Sequence, residues 1–315
     1  MYQFGMRIAN ALNAHLHEFI DCEFQVLLAY DDVEPVNKVI RQFNPDVILY
    51  SYGTLPLPVG HKVDKYDGRI HIGVSHEQEQ CLVGAKVPND WYGGVAFKYW
   101  IGHDPTIKIE GHENLFNATR PILRSEYKSP PNQNIFGTSS FGFPNKGHVR
   151  TVLAIQNEFD EAVLRFNMPP SVFIDPHCQI AKKVAEACRS VIYKPGIKLE
   201  VTHTMFETEE ELVEWMYGND YHIYDYDQGV VPSAQRGVSS SPDNALSTRR
   251  PLLVTGSTMF KHLTPYLRNY AAPGNSIQKC ISDQLEYGIP DMIYNEWSPR
   301  RTASDYAYML RKLVK

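Results

Sequence analysis

A loop rich in glycine and serine at Phe136–Gly147, FGTSSFGFPNKG, is the strongest candidate for chemistry in this sequence. It joins a predicted strand to a predicted helix, and small residues such as Gly142 let backbone N–H groups approach an anion closely. The helix start supplies partial positive charge, and Lys146, just before it, supplies a full one. The loop therefore suits a phosphate or diphosphate group. An ordinary strand-to-helix turn with a solvent-exposed lysine is the alternative that the loop alone leaves open.

A second candidate anion site lies at Arg236–Leu246, RGVSSSPDNAL. Its hydroxyl residues precede Pro242, which suits the first turn of a helix, and Ser241 is the predicted N-cap. N–H groups at such a helix start would bind an anion, whereas a capped helix without a ligand is the alternative. The candidate contacts in this segment are Arg236, Gly237, Ser239 and Ser240.

A histidine and a carboxylate, His76 and Glu77, follow the predicted strand at 70–74. They stand at its C-terminal end, where α/β folds collect their ligands. His76 suits a hydrogen bond to a hydroxyl group or a proton transfer, because the pKa of imidazole is near neutral, and Glu77 would orient it. The alternative is a polar turn at His76 with Glu77 opening a helix.

Apolar runs and helical periodicities give the elements that must position these residues. Strands are predicted over 24–29, 46–50, 70–74, 99–101, 135–138, 161–166, 198–202, 221–224 and 251–255. Helices are predicted over 4–20, 33–43, 147–159, 179–190, 208–217, 242–247 and 304–313. This alternation indicates an α/β fold with parallel sheets covered by helices.

The same pattern predicts two lobes, at 1–128 and 129–300, followed by a C-terminal helix at 301–315. A polar, proline-bearing segment at 125–134 is the predicted linker between the lobes. The first lobe opens with a helix where a doubly wound lobe opens with a strand. We therefore expect the first lobe to be abbreviated or to lack its first strand.

Composition is that of an ordinary globular protein of two domains: 315 residues, 43% hydrophobic and 21% charged. The net charge of -5 argues against a broad nucleic-acid surface. The five cysteines are widely spaced, so a reducing compartment is expected and neither disulfides nor zinc are indicated. No leader pattern and no long apolar run is visible, which predicts a cytoplasmic protein.

The segment Ile135–His262 resembles the C-terminal lobe of retaining GT-B glycosyltransferases. The resemblance rests on the loop ending in Lys-Gly, on GNDYHIYDYD at 218–227 and on RGVSSSPDNALSTRRPLLVT at 236–255. It is similar in particular to small bacterial and phage-encoded glycosyltransferase-like proteins. The resemblance implies two Rossmann-like lobes. It also implies transfer of a sugar from a nucleotide-diphosphate donor to a glycan or other acceptor, with retention of configuration.

The resemblance also implies a role for each candidate residue. Lys146 would contact the donor diphosphate, Gly142 would allow its close approach, and Ser239 and Ser240 would donate N–H groups to the distal phosphate or sugar. The remaining implied positions are Met205 and Phe206 at the base and ribose, His76 and Glu77 facing the sugar and acceptor, and Arg165, Asp225 and Asp243 lining the cleft.

The sequence departs from the pattern of these enzymes at two places. Ser140 stands where many of them have an arginine, and Asp243-Asn244 stands where they have glutamates. The candidate substitutes for the missing cation are Arg165, Arg236 and Arg249. Three alternatives remain: a non-catalytic binder of nucleotide sugars or glycans, a nucleotide-sugar epimerase, and a phage DNA-base glycosyltransferase. The acidic net charge disfavours the last of these.

A metal is not expected. Asp225 and Asp227 flank Tyr226 in the manner of a DxD motif, which holds a divalent ion in a different glycosyltransferase fold. In the fold that this sequence resembles, a helix start and a lysine neutralise the diphosphate instead. We therefore expect no cofactor beyond the nucleotide-sugar substrate. The oligomeric state is not indicated.

Overall fold

The computed structural model describes residues 2–26, 33–51, 67–75, 97–103, 114–171, 174–226 and 239–314. These residues form two compact units. One is drawn from Met1–Pro121 and Asn295–Lys315, the other from Ile122–Ser233 and Ser239–Tyr294. Five of the residues singled out above lie outside the described part of the chain: His76, Glu77, Asp227, Arg236 and Gly237.

The first unit contains a parallel sheet in the order β1-β2-β3-β4. Its strands are β1 (Val47–Tyr50), β2 (Ile70–Ser75), β3 (Tyr99–Gly102) and β4 (Leu115–Asn117). Its helices are α1 (Tyr2–His15), extended by a 3-10 turn at Leu16–Glu18, α2 (Val33–Phe43) and α9 (Pro299–Leu313). The described part of the predicted strand at 24–29, residues 24–26, is not a strand.

The C-terminal helix α9 belongs to the core of the first unit. Leu12 of α1 and Tyr306 of α9 are buried in one cluster with Ile72 and Ile101 of the sheet. Because apolar side chains recur every three to four residues along α1, the helix has one continuous face for this packing. The predicted C-terminal helix is confirmed, and it begins earlier than the sequence suggested, at Pro299.

The second unit contains a five-stranded parallel sheet in the order β7-β6-β5-β8-β9. Its strands are β5 (Ile135–Ser139), β6 (Ala162–Asn167), β7 (Ile197–Thr202), β8 (Tyr221–Tyr224) and β9 (Leu252–Val254). Its helices are α3 (His148–Glu158), α4 (Gln179–Ser190), α5 (Glu209–Tyr217), α6 (Ser241–Leu246), α7 (Ile277–Tyr287) and α8 (Asp291–Glu296). Strands β5, β6, β8 and β9 are largely buried, as a parallel sheet covered by helices requires, whereas the edge strand β7 exposes Lys198, Glu200 and Thr202.

The strand order reverses between β5 and β8, since the chain first moves outward through β6 and β7 and then returns to the other side of β5. In doubly wound sheets, ligands bind at the carboxyl ends of the strands beside such a reversal. The Gly/Ser loop leaves β5 at this edge, and Asp225 and Tyr226 leave β8 there. The two segments therefore flank the switch point of the sheet.

The polar segment predicted to be a linker is part of the second unit instead. The Ser125 N–H donates to Ser247 O at 3.0 Å, and the Asn132 N–H donates to Asp220 Oδ1 at 2.6 Å. Lys128 pairs with Glu214 at 2.5 Å. Proline and polar residues gave this segment the composition of a linker, but its partners are far away in the sequence and no local pattern reveals them.

Candidate functional site

The start of α3 is the centre of the candidate site. A 3-10 turn at Pro144–Lys146 leads into Gly147, which has φ 65° in the left-handed region that glycine favours. No side chain caps the helix at this glycine. The first N–H groups of a helix have no intrahelical partners, so those of α3 are available to a ligand.

Lys146 is held over the ring of Tyr226, with Nζ 4.6 Å from the ring centroid. The Asn145 side-chain amide donates to the hydroxyl of the same tyrosine at 3.1 Å. Tyr226 therefore fixes two consecutive loop residues from the far side of the switch point. Burial lowers the pKa of Lys146 to about 8, and within the described chain its ammonium forms no ion pair. Its charge is available to an anion.

Asp225 forms an ion pair with Arg150, in the first turn of α3. Arg150 Nε and Nη2 donate to the two carboxylate oxygens at 2.7 and 2.8 Å, the bidentate geometry that makes such pairs strong. Asp225 also packs against Gly147, where an added Cβ would lie 2.5 Å from the carboxyl carbon. The predicted cleft carboxylate thus reaches the candidate site, but as the partner of Arg150. Among the described residues, no three His, Cys, Asp or Glu side chains are grouped to hold a metal.

Ser140 and His148 add no second cation to the loop. His148 is buried, and its Nε2 donates to Phe141 O at 3.2 Å. Burial is the main cause that lowers the pKa of His148 to about 4, so the imidazole is neutral at physiological pH. Ser140 Oγ lies 3.4 Å from the same nitrogen.

Gly142 has a packing role that its sequence context does not reveal. A Cβ at this position would lie 2.5 Å from the Cβ and 2.6 Å from the Cα of Ala181 in α4. The predicted role, close approach of the donor, is therefore not the only reason for glycine here. Only a residue without a Cβ, as at Gly142, lets the loop pack this closely against α4.

Replacing Gly142 with alanine is expected to lower the free energy of unfolding by about 1–3 kcal/mol, because the obstructing atoms include backbone that cannot rotate away. Urea denaturation measures the change. Gly5→Ala is the matched control, since a Cβ there lies 3.4 Å from the Ser51 side chain and Gly5 is helical. It should be neutral or stabilising, and equal losses in the two variants would contradict the assignment.

Asn167, at the end of β6, organises the site and was missed in the sequence. Its fully buried amide nitrogen donates to Ser139 Oγ at 3.2 Å and to Thr204 O at 3.0 Å. Its amide oxygen accepts from Thr202 Oγ1 and from Thr204 N, both at 2.9 Å. One side chain thus ties together the ends of β5, β6 and β7. Strand-end asparagines are too common for the sequence to single this one out.

The predicted base and ribose residues follow β7 at the same edge of the sheet. Met205 is exposed, and Phe206 lies against Trp215 with ring centroids 6.1 Å apart. Arg165 lies elsewhere, within β6, where its Nη1 donates to Asn219 Oδ1 at 2.8 Å and its guanidinium covers Trp215 at 4.9 Å. Arg165 is paired in the sheet with Gly137, and its contacts with Asn219 and Trp215 direct its guanidinium toward α5 instead of Lys146.

The second predicted anion segment differs from expectation. Ser240 rather than Ser241 is the N-cap of α6, and the Ser239 N–H, expected to face the donor, donates to Met259 O at 3.2 Å. Asp243 is buried, and its Oδ1 lies 2.9 Å from His262 Nε2. Ser240 is half-buried, and its side chain makes no capping hydrogen bond to α6.

No known family model matches this chain, and no curated protein matches it in sequence. Among solved structures, it is similar to AviGT4, a glycosyltransferase involved in avilamycin A biosynthesis: TM-score 0.55, 13% identity, 89% of this chain and 78% of that one covered. A Rickettsia africae glycosyltransferase is similar at TM-score 0.48, with 11% identity and coverage of 89% and 78%. An alpha-glucosyltransferase in complex with UDP-glucose and DNA is similar at TM-score 0.49, with 11% identity and coverage of 87% and 79%.

None of the described helices has the length and apolar character to cross a membrane. The predicted α/β architecture is confirmed, with a parallel sheet in each unit. Taken with the likeness to AviGT4, this architecture gives the chain the GT-B glycosyltransferase fold, built from two Rossmann-like units.

Proposed function

We propose that the chain is a glycosyltransferase that binds a nucleotide-sugar donor in its second unit and transfers the sugar to a glycan or other acceptor. The observation that carries the proposal is Lys146, a cation without an ion-pair partner in the described chain, at the uncapped start of α3. It lies beside the switch point of the sheet, the usual ligand position in doubly wound folds.

The neighbouring charges support Lys146 as the phosphate contact. Arg150 forms an ion pair with Asp225. The carboxylate of Asp225 is therefore not an ion-pair partner of Lys146. The adjacent helix start, that of α4, is closed by Asp175, whose carboxylate accepts the N–H groups of Gln179 at 2.7 Å and Ala181 at 3.0 Å. Of these two helix starts, α3 therefore has N–H groups left for a diphosphate.

The proposed chemistry uses this site for leaving-group stabilisation. Negative charge develops on the diphosphate as the glycosidic bond breaks, and the proposed role of the α3 start and Lys146 is to stabilise that charge. We propose that Met205 and Phe206 border the base and ribose. In the retaining reaction, the departing phosphate accepts the acceptor's proton. His76 and Glu77 remain the proposed residues facing the sugar and acceptor.

A reducing, cytoplasmic setting is proposed from the free, buried thiols of Cys178, Cys188 and Cys280.

Donor affinity is expected to fall as the pH rises above about 8. Lys146 is cationic below its pKa and neutral above it, so the attraction for a diphosphate is full near pH 7 and lost on the alkaline side. Above the pKa of Lys146, the Kd for the donor should rise by at most about tenfold for each pH unit. Calorimetric titrations from pH 6.5 to 9 measure it. Lys146→Arg, which stays charged, should bind with no such slope, and a slope that persists in that variant would assign the titration to another group.

A thermal-shift screen against UDP-, GDP-, ADP- and CDP-sugars tests the proposed function. At least one donor is expected to raise Tm, because a ligand that binds the native state alone stabilises it. The absence of any shift would reject the donor site.

The buried Asp243–His262 pair favours a second candidate, binding of a nucleotide sugar without turnover. This pair occupies the region where the resembled enzymes carry glutamates. Donor hydrolysis and sugar transfer separate the two candidates: a donor that raises Tm but is neither hydrolysed nor transferred would support the second.

A further inference from the structure

A cavity of about 290 Å³ lies within the second unit, at the edge of the sheet opposite the Gly/Ser loop. Asn132 precedes β5, Tyr221 begins β8 and Pro251 precedes β9, so the wall is formed where these strands start. Residues of α7 and the turn into α8 form the other side. Arg249 and Arg250 both line the cavity. Arg249, considered above as a substitute cation for the donor, is thus placed at the opposite edge of the sheet.

Arg250 is a buried cation with unmet hydrogen-bonding capacity. Its side chain is 2% exposed, and its Nη2 donates to Ser129 O at 3.0 Å and to Tyr217 O at 3.3 Å. Its Nε and Nη1 are buried without a hydrogen-bond partner in the described part of the chain. Buried charged donors without partners are costly, and native structures almost always satisfy them. The unpaired donors indicate a missing anionic partner.

Arg249 is held in a conformation that arginine rarely adopts. Its φ is 60°, in the left-handed region, and the side chain is exposed with its guanidinium 5.9 Å from the ring of Tyr127. Tyr127 is itself 58% exposed and lines the cavity. The left-handed position lies just after α6, where the Arg249 N–H donates to Leu246 O at 3.0 Å, and it places a cation beside an aromatic ring at the cavity.

Two carboxylates also line the cavity, and both are already satisfied. Asp220 accepts the N–H groups of Asn132, Gln133 and Ile135 at 2.6 to 2.9 Å. Asp291 pairs with Arg124 at 2.8 Å. Within the described chain, neither carboxylate forms an ion pair with Arg249 or Arg250, although Asp220 is close enough to attract the charge of Arg250.

We propose that this cavity is a second ligand site, which binds a small organic anion through Arg249 and Arg250. The volume is at the small end of the range for ligand pockets, so the ligand is about the size of one sugar ring. Guanidinium groups match the planar geometry of carboxylates and the oxygens of phosphates. Tyrosine rings supply surface for the body of the ligand. The class is thus a phosphate- or carboxylate-bearing monosaccharide or a molecule of similar size.

Thermal shifts with glucose 1-phosphate, glucuronate and glucose test the proposal in the Lys146→Ala chain, where the proposed donor site is weakened. At least one of the two anions should raise Tm and neutral glucose should not, and the anion that does so distinguishes phosphate from carboxylate. Arg249→Gly removes the cation and suits the positive φ, so this variant should fold at least as stably. Its Kd for the same anion should rise by about tenfold or more.

Two results would overturn the proposal. One is the absence of any shift with both anions in the Lys146→Ala chain. The other is an equal shift with and without Arg249, which would place the anion elsewhere. Arg249→Lys keeps the charge but loses the planar fork, and it should bind with intermediate affinity.

Discussion

Replacing Lys146 with methionine is expected to lower kcat/KM for sugar transfer by roughly 10²–10³-fold, the usual cost of removing one preorganised stabiliser of developing charge. The reason is geometric. The ammonium is fixed over Tyr226 beside the open start of α3, so its charge is in place before the diphosphate departs. Methionine keeps the length and apolar stem of the side chain and removes only the charge. Steady-state kinetics with the donor identified by the thermal-shift screen measures the loss.

Lys183→Met is the matched control, because Lys183 is an exposed lysine on α4 of the same unit. It should retain full activity. Lys146→Arg should retain donor binding and lose only part of the activity, since a guanidinium preserves the charge but not its position. Unchanged kinetics in Lys146→Met would refute the role of this residue.

Replacing Asn167 with leucine is expected to lower the free energy of unfolding by about 3–5 kcal/mol. The substitution removes the four hydrogen bonds that this fully buried side chain makes with Ser139 Oγ, Thr202 Oγ1, and the N–H and carbonyl of Thr204. Urea denaturation measures the change. Donor affinity should fall as well, because the loops after β5 and β7 lose their common anchor.

Asn157→Leu serves as the control, because Asn157 is an exposed asparagine on α3 whose side chain accepts only from the Tyr193 hydroxyl, at 2.9 Å. The free energy of unfolding of this control variant should stay within about 0.5 kcal/mol of the unsubstituted chain. If Asn167→Leu were as stable as the control, Asn167 would not be the anchor of this edge.

Much of the second unit can be predicted from the sequence because its signals are local. The apolar run around Phe136, the glycines of the following loop and the helical periodicity of 179–190 each fall within a short window. Lys146 was identified for the same reason, since a cation directly before a helix is visible without any tertiary contact.

The remaining features depend on contacts between residues distant in sequence. Asp220 fixes the segment at 132–135 through backbone N–H groups, which no side-chain pattern records. The paired arginines Arg249 and Arg250 follow an apparently ordinary turn, and only the fold shows that they line a cavity. The sequence predicts that Asp243 lines the cleft, but in the fold it pairs with His262. That histidine lies in a 3-10 turn that no local sequence pattern predicts.

Backbone hydrogen exchange, measured with and without the stabilising nucleotide sugar, tests the central claim most directly. The claim is that the donor diphosphate binds the start of α3, where the N–H groups of His148, Val149 and Arg150 have no side-chain cap. We predict that peptides covering 141–151 exchange more slowly when the donor is bound, and that Lys146→Met weakens this protection. Saturating donor that leaves 141–151 unprotected, with protection confined to other segments, would contradict the account.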